Sequence, residues 1–288
     1  MFAKLLRNET MNVRARGKLW VLLASSLLIL GLQAEDLYGG TLYGVASFGD
    51  FYSVNTQTGA ASFIGDAAPG LNATMSGLDA DHGIVYMMSG GSPTTSLFTV
   101  DVSTAAATYV TQWYAVGFFG GLAFDSQNGL LYAAQESHTA GENELWSINP
   151  NTGQSTFIGY LTGSASWCDY ISGLAYDPGT DTLYASTSNP GSRLLTVDKS
   201  TAATTVVGSI GYGYVTGLTF APDTGVLYGA SEPYGTSGLI SINPDTGAGT
   251  LIGPTGVGIF GLAYTPEPAT MALLGLGGLG VILRRKRR

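Results

Sequence analysis

Between residues 41 and 265, short apolar stretches alternate with polar turns, and four patterns recur in one order. The first joins glycine to leucine: Ser76-Gly77-Leu78, Gly120-Gly121-Leu122, Ser172-Gly173-Leu174, Thr216-Gly217-Leu218 and Phe260-Gly261-Leu262. The second carries a tyrosine, at Tyr43, Tyr86, Tyr132, Tyr184 and Tyr228. The third alternates apolar and polar residues and ends in Asn or Asp: FYSVN from 51, LFTVD from 97, LWSIN from 145, LLTVD from 194 and LISIN from 239. The fourth reads ASFIG from 61, ATYVT from 107, STFIG from 155, TTVVG from 204 and GTLIG from 249. Period-two alternation in such short runs predicts strands. Five copies of a four-strand unit, with tyrosine spacings of 43, 46, 52 and 44, predict an all-β, five-bladed β-propeller of four-stranded blades.

The copies are out of step with the chain ends. The first lacks a glycine-leucine strand, while the last such strand, 260–264, is followed only by a tail, so the two parts complete one blade. Pairing of the N- and C-terminal strands is therefore expected to close the ring and leave it no open edge. The glycine-leucine strand is expected to be innermost, because glycine permits close backbone approach where five strands converge. Glycines in His82-Gly83, Asn128-Gly129, Thr152-Gly153 and Thr246-Gly247 suit tight hairpins.

Composition supports this picture. The 42 glycines and sparse charge point to many short strands and away from helical bundles, whose exposed faces need Lys, Glu and Arg. The formal net charge of −8 hides an asymmetry, since ten of the twelve Lys and Arg residues lie in the first 18 or last five positions. Between Glu35 and Pro266, eighteen acids face only Arg193 and Lys199, a net charge of −16. Nucleic acid is excluded as a partner, because its binding rests on cations that displace counterions. Cys168 is the only cysteine, so no intramolecular disulfide can form. With His82 and His138 as the only histidines, there is no cluster for a zinc site, and no metal or cofactor is expected.

Both ends read as export signals. Arg14, Arg16 and Lys18 precede an apolar run, Leu19 to Leu32, and then Gln33-Ala34-Glu35. That order predicts a signal peptide over 1–34, cut after Ala34, with Met1 or Met11 as the start. The propeller then occupies 35–265. In the tail, 266–288, prolines stop the last strand, 269–283 predicts a short membrane helix, and the cations after it hold that end in the cytoplasm. The Pro266-Glu267-Pro268 triplet, the apolar run and the basic end that begins Arg284-Arg285 resemble the PEP-CTERM sorting signal of Gram-negative bacteria. The resemblance implies an exosortase as processing partner, cleavage at or near the triplet, transient membrane anchoring, and delivery to the cell surface or exopolysaccharide matrix. The repeats over 41–265 broadly resemble lactonase-like and quinoprotein-like propellers, which implies a fold and transfers no catalytic residue.

In a four-strand meander the first-to-second and third-to-fourth connections share one face. Here those are short turns, and the opposite face receives longer, irregular loops, where binding on a rigid frame usually sits. That loop face is expected to hold Trp113 and Tyr114 in one loop, Trp167 and Tyr170 in another, Tyr212 and Tyr214 in a third, and also Glu136, Glu142, Glu144, Arg193, Glu232 and Tyr234. Aromatic rings beside carboxylates suit sugars, whose C–H groups stack on π-faces while hydroxyls bond oxygens. The same aromatics also suit capping of blade cores. The leading expectation is a noncatalytic propeller binding extracellular polysaccharide or another outside partner. The alternatives are a secreted hydrolase or lyase using a carboxylate pair, and a structural matrix protein. Two G-x-G-x-x-G matches, at Gly256 and Gly275, lack the strand-turn-helix setting of a dinucleotide site. The acidic turns at Asp79–Asp81 and Asp177–Asp181 fit hairpins better than calcium loops.

Overall fold

The computed structural model describes residues 40–266 except 69–73, 82, 91–93, 115–118, 137–142, 162–169, 190 and 232–236. The predicted leader and the tail beyond Pro266 lie outside the described residues. Gly40–Pro268 forms one compact unit.

Twenty strands, among the described residues, form five antiparallel four-stranded sheets. Blade one runs outward as β20 (Ile259–Thr265), β1 (Thr41–Ala46), β2 (Asp50–Val54) and β3 (Ala61–Asp66). Blade two comprises β4 (Thr74–Asp81), β5 (Ile84–Gly90), β6 (Thr94–Val100) and β7 (Ala107–Tyr114). Blade three comprises β8 (Phe119–Asp125), β9 (Leu130–Glu136), β10 (Asn143–Ile148) and β11 (Ser155–Tyr160). Blade four is β12 (Tyr170–Asp177), β13 (Thr182–Ser188), β14 (Arg193–Val197) and β15 (Thr204–Ser209). Blade five is β16 (Gly217–Ala221), β17 (Val226–Ser231), β18 (Gly238–Ile242) and β19 (Gly249–Pro254). Blade one is the shared blade that the offset repeats require. Its last-made strand β20 pairs with β1 from Thr41↔Thr265 to Ala46↔Ile259.

The glycine-leucine motif is explained at the axis. Leu78, Leu122, Leu174, Leu218 and Leu262 are buried in a ring that leaves no room for a water molecule. A Cβ at Gly121 would stand 2.5 Å from the Leu174 amide nitrogen, and one at Gly173 would stand 2.8 Å from the Leu218 Cβ. Gly217 receives Leu262 and Gly261 receives Leu78 in the same way. At these four positions one blade's glycine is thus the seat for the next blade's leucine, which is why the pair recurs as a unit.

The tyrosine of each second strand also works between blades. All five are buried, and Tyr86 stacks on Phe124 of the next blade at 5.8 Å, as Tyr228 does on Tyr264 at 6.4 Å. The five apolar clusters accordingly straddle neighbouring blades and lie between the sheets.

The third-to-fourth turn is one chemical solution used five times. Asn55, Asp101, Asn149, Asp198 and Asn243 each accept from the amides two and three residues on. The position that follows directly in each turn takes a left-handed backbone: Gly59, Ala105, Gly153, Ala202 and Gly247, with φ between 60° and 77°. Side chains that cap their own turn replace the hydrogen bonds the strands give up there.

Candidate functional site

The two faces spend their polar groups differently. On the short-turn face the acids are absorbed by the fold. Asp125, fully buried, accepts from the amides of Gln127 and Asn128, from Asn128 Nδ2 and from Lys199 Nζ at 2.8 Å. Lys199 also pairs with Asp181 and lies 4.7 Å from the Tyr176 ring centre, so it joins blade four to blade three. Burial alone would raise the Asp125 carboxyl, but donation from Lys199 and Asn128 holds it below its ordinary value. Tyr176 is pushed well up by burial and by its hydrogen bond to Asp181. Asp79 accepts from the Phe124 amide at 2.5 Å, and Asp177 caps its own turn through Gly179 and Thr180. The acidic turns are therefore hydrogen-bonded hairpins and blade links. At the ring closure Tyr264 donates to Asp223 at 2.9 Å and accepts from the Gly40 amide at 2.6 Å.

The loop face displays aromatic side chains. Tyr170 opens β12, 45% exposed, with its backbone paired to Ser188. Tyr214, 39% exposed, donates its amide to the Asn189 carbonyl at 2.8 Å. The two tyrosines thus flank Ser188-Asn189, the connection into β14, whose first residue is Arg193. Tyr214 holds φ 48°, a conformation unusual for a bulky residue. Phe48, in the connection between β1 and β2, matches it: φ 67° and 67% exposed, anchored by an Ala67 amide bond to Gly49. Held backbone strain under an exposed aromatic points from structure toward function. Phe48 was not expected from sequence; the signal was an aromatic wedged between a strand end and a glycine, as it is in Ser47-Phe48-Gly49.

The other expected residues divide into three groups. Trp113 and Tyr114 end strand β7, paired with Thr95 and Thr94, so they continue a strand where a loop was expected. Glu136 likewise ends β9 opposite Asn143, and Glu144 lies in β10 opposite Tyr160. Tyr212 is half-buried against the cluster between blades four and five, and its hydroxyl accepts from the Leu251 amide at 3.1 Å. Trp167, Glu142, Glu232 and Tyr234 lie outside the described residues, as do Pro268, Glu267, Arg284 and Arg285 of the sorting signal. Pro266 directly follows β20.

These features define a β-propeller with, among the described residues, one face of tight, self-capped turns and one that displays aromatic side chains. The chain belongs to the family described as a repeat of unknown function (DUF6923), whose model matches residues 86–274. Residues 265–288 match the PEP-CTERM protein-sorting motif, which marks an exported, surface-sorted protein of Gram-negative bacteria processed by an exosortase. No curated protein is detectably similar in sequence. Among solved structures, an engineered GH43 glycoside hydrolase with endo-xylanase and exo-arabinofuranosidase activity aligns at TM-score 0.53 and 12% identity, over 80% of this chain and 53% of that one. A chain of the nidogen/laminin complex aligns at 0.52 and 13%, over 78% and 98%. A gluconolactonase from Xanthomonas campestris aligns at 0.49 and 16%, over 78% and 80%. At these identities the likeness is one of fold, and the fold serves both enzymes and binding proteins.

Proposed function

We propose that this protein is a noncatalytic glycan-binding propeller of the cell surface or exopolysaccharide matrix. It is exported by a leader over 1–34, held briefly by a membrane helix over 269–283, and then released. The observation that carries the reading is the pair of exposed tyrosines, Tyr170 and Tyr214, whose backbones are bonded to Ser188 and Asn189, with Tyr214 in a strained backbone. Tyrosines on a backbone held in this way, with two side-chain torsions each, lose little freedom on binding, so stacking on a sugar is little offset by ordering of the site. Trp113, Tyr114, Trp167, Tyr234, Glu136 and Glu232 extend the same face in this reading. The test is titration of the purified protein with the producing cell's own exopolysaccharide, beside variants Tyr170→Ala and Trp167→Ala. Weaker binding in both is expected. Absence of binding, or binding unchanged by either substitution, leaves a structural matrix role in front.

A further inference from the structure

A different surface carries its own chemistry. The five outer strands, β3, β7, β11, β15 and β19, contain a single charged residue, Asp66, although the domain as a whole bears −16. At one equivalent position each exposes a large apolar side chain: Phe63, Tyr109, Phe157, Val206 and Leu251. The first three are aromatic, belong to consecutive blades, and are 62%, 55% and 42% exposed. Each is met edgewise by a ring of the adjoining third strand. Tyr52 lies 5.5 Å from Phe63, Phe98 lies 6.0 Å from Tyr109, and Trp146 lies 5.3 Å from Phe157. In blade three the exposed Tyr160 adds a fourth ring, 5.3 Å from Phe157.

Two of these ring pairs sit beside a carboxylate. Trp146 Nε1 donates to Glu144 Oε2 at 3.0 Å, and the Tyr52 phenol is raised by burial and by the charge and hydrogen bond of Asp50. A carboxylate that accepts from a ring N–H or O–H keeps further lone pairs for a hydroxyl from outside.

We propose that the outer arc of blades one to three is a second binding surface, separate from the loop face, along which a neutral polysaccharide stacks on Phe63, Tyr109 and Phe157. Repetition of one ring geometry in three consecutive blades suits a ligand that itself repeats. An anionic polymer is disfavoured by the domain's charge, and a cationic one would meet carboxylates only in blades one and three, since blade two carries Ser96 and Gln112 at the positions that Asp50 and Asp66 hold in blade one. Edge-to-edge pairing with a second copy would use all five outer strands alike. It gives no reason for rings to occupy three adjacent blades, nor for Glu144 and Asp50 to lie beside them. The inference stands on residues unrelated to Tyr170 and Tyr214.

The test uses the full mature protein and a panel of laminarin, dextran and hydroxyethylcellulose, with alginate as the anionic comparison. Affinity electrophoresis or calorimetry compares wild type, the triple variant Phe63→Ala/Tyr109→Ala/Phe157→Ala, the conservative variant Phe157→Tyr, and the loop-face variant Tyr170→Ala/Tyr214→Gly. Binding of at least one neutral polymer is expected, falling tenfold or more in the triple variant, kept by Phe157→Tyr, and weaker for alginate. The melting temperature should be nearly unchanged, because the substituted rings are exposed. No binding to any neutral member, equal binding by the triple variant, or preference for alginate overturns the proposal. Concentration-dependent dimers abolished by the triple variant would assign the arc to a second copy instead. Loss confined to the loop-face variant rejects the arc while sparing the loop-face reading, and loss confined to the triple variant does the reverse.

Discussion

Thr111 on the outer strand of blade two lies against Gly153 in the third-to-fourth turn of blade three, and a Cβ built on Gly153 would stand 2.5 Å from Thr111 Oγ1. The same contact recurs between every pair of blades, and at most one partner carries a side chain. Ala105 faces Gly65, Ala202 faces Gly159, Gly247 faces Gly208 and Gly59 faces Gly253. The blades therefore meet with glycine against a small residue or against a second glycine, the turn partner being at positive φ.

Gly153→Ala is expected to cost about 2–4 kcal/mol, from left-handed strain together with overpacking. Gly129→Ala, at φ 66° with nothing within 4 Å, meets strain alone and should cost roughly 1 kcal/mol. Adding Thr111→Gly to Gly153→Ala makes room for the methyl, so the double variant should be more stable than the two single effects sum to, by about 1 kcal/mol or more. Urea melts of the four proteins check this. Strict additivity would show that the contact is not what selects glycine.

Lys199→Met tests the bolt between blades three and four. Removing the cation leaves the buried Asp125 carboxylate to Asn128 and two backbone amides, at a cost of about 2–3 kcal/mol near neutrality, below the usual figure for a broken buried pair. Asp125 is depressed in the folded state, so its contribution is present above the ordinary carboxylate value of about 3.9 and is lost as pH falls through the lower folded value. Lys199 is raised, so its contribution is present below about 10.4 and is lost as pH rises through the folded value. In the variant the acid limb should move to higher pH, because burial then acts on Asp125 with less opposition. Thermal melts from acid to alkaline pH would show it. An unmoved acid limb would mean that Lys199 contributes nothing to Asp125.

Ring closure by β20 makes the end of the domain the strand that completes blade one. Ile259 and Leu262 are fully buried and Tyr264 nearly so. Loss of the two aliphatic side chains alone should cost about 3–6 kcal/mol, and the bare edge of β1 adds a route to aggregation. Proteins ending at Pro254 and at Thr265 should therefore differ in melting temperature far more than one peripheral strand implies. Equal melts would remove the shared blade as a source of stability.

The repeat made the blades and their closure legible, because Gly-Leu and Tyr serve the same inter-blade seats from blade to blade. The outer aromatic arc was not legible. In every blade the pairing of third and fourth strands slips by one residue, as between Phe51↔Gly65 and Tyr52↔Phe63. Ser62 and Phe63, regularly paired on one side of that slip, are both exposed, so alternation along the outer strand does not mark its open side. Trp113 and Tyr114 were misassigned to a loop for a related reason: β7 runs two residues beyond the other outer strands, and nothing in the local pattern marks its end. Tyr214 was legible as a loop-face residue, but its positive φ, like that of Phe48, is an angle that composition does not reveal.

Those angles allow one substitution to separate binding from stability on the loop face. Tyr214→Gly removes a ring that is partly exposed while relieving a positive φ, so the folded protein should lose little and can gain up to about 1 kcal/mol, reduced by whatever the ring contributes in packing. Tyr170→Ala removes the other exposed ring with no such relief. If sugar rings stack on them, both variants should weaken binding of the cell's exopolysaccharide by about 1–3 kcal/mol, the scale of an aromatic contact that becomes buried. Their melting temperatures should nevertheless move in different directions. Stacking and hydrogen bonds carry the contact, so affinity should vary little between low and physiological salt. Calorimetric titration at two salt concentrations, beside melts of the same samples, gives all three quantities. Binding that follows stability across the variants, or that collapses with added salt, would show that the tyrosines are framework and that some charged group holds the ligand.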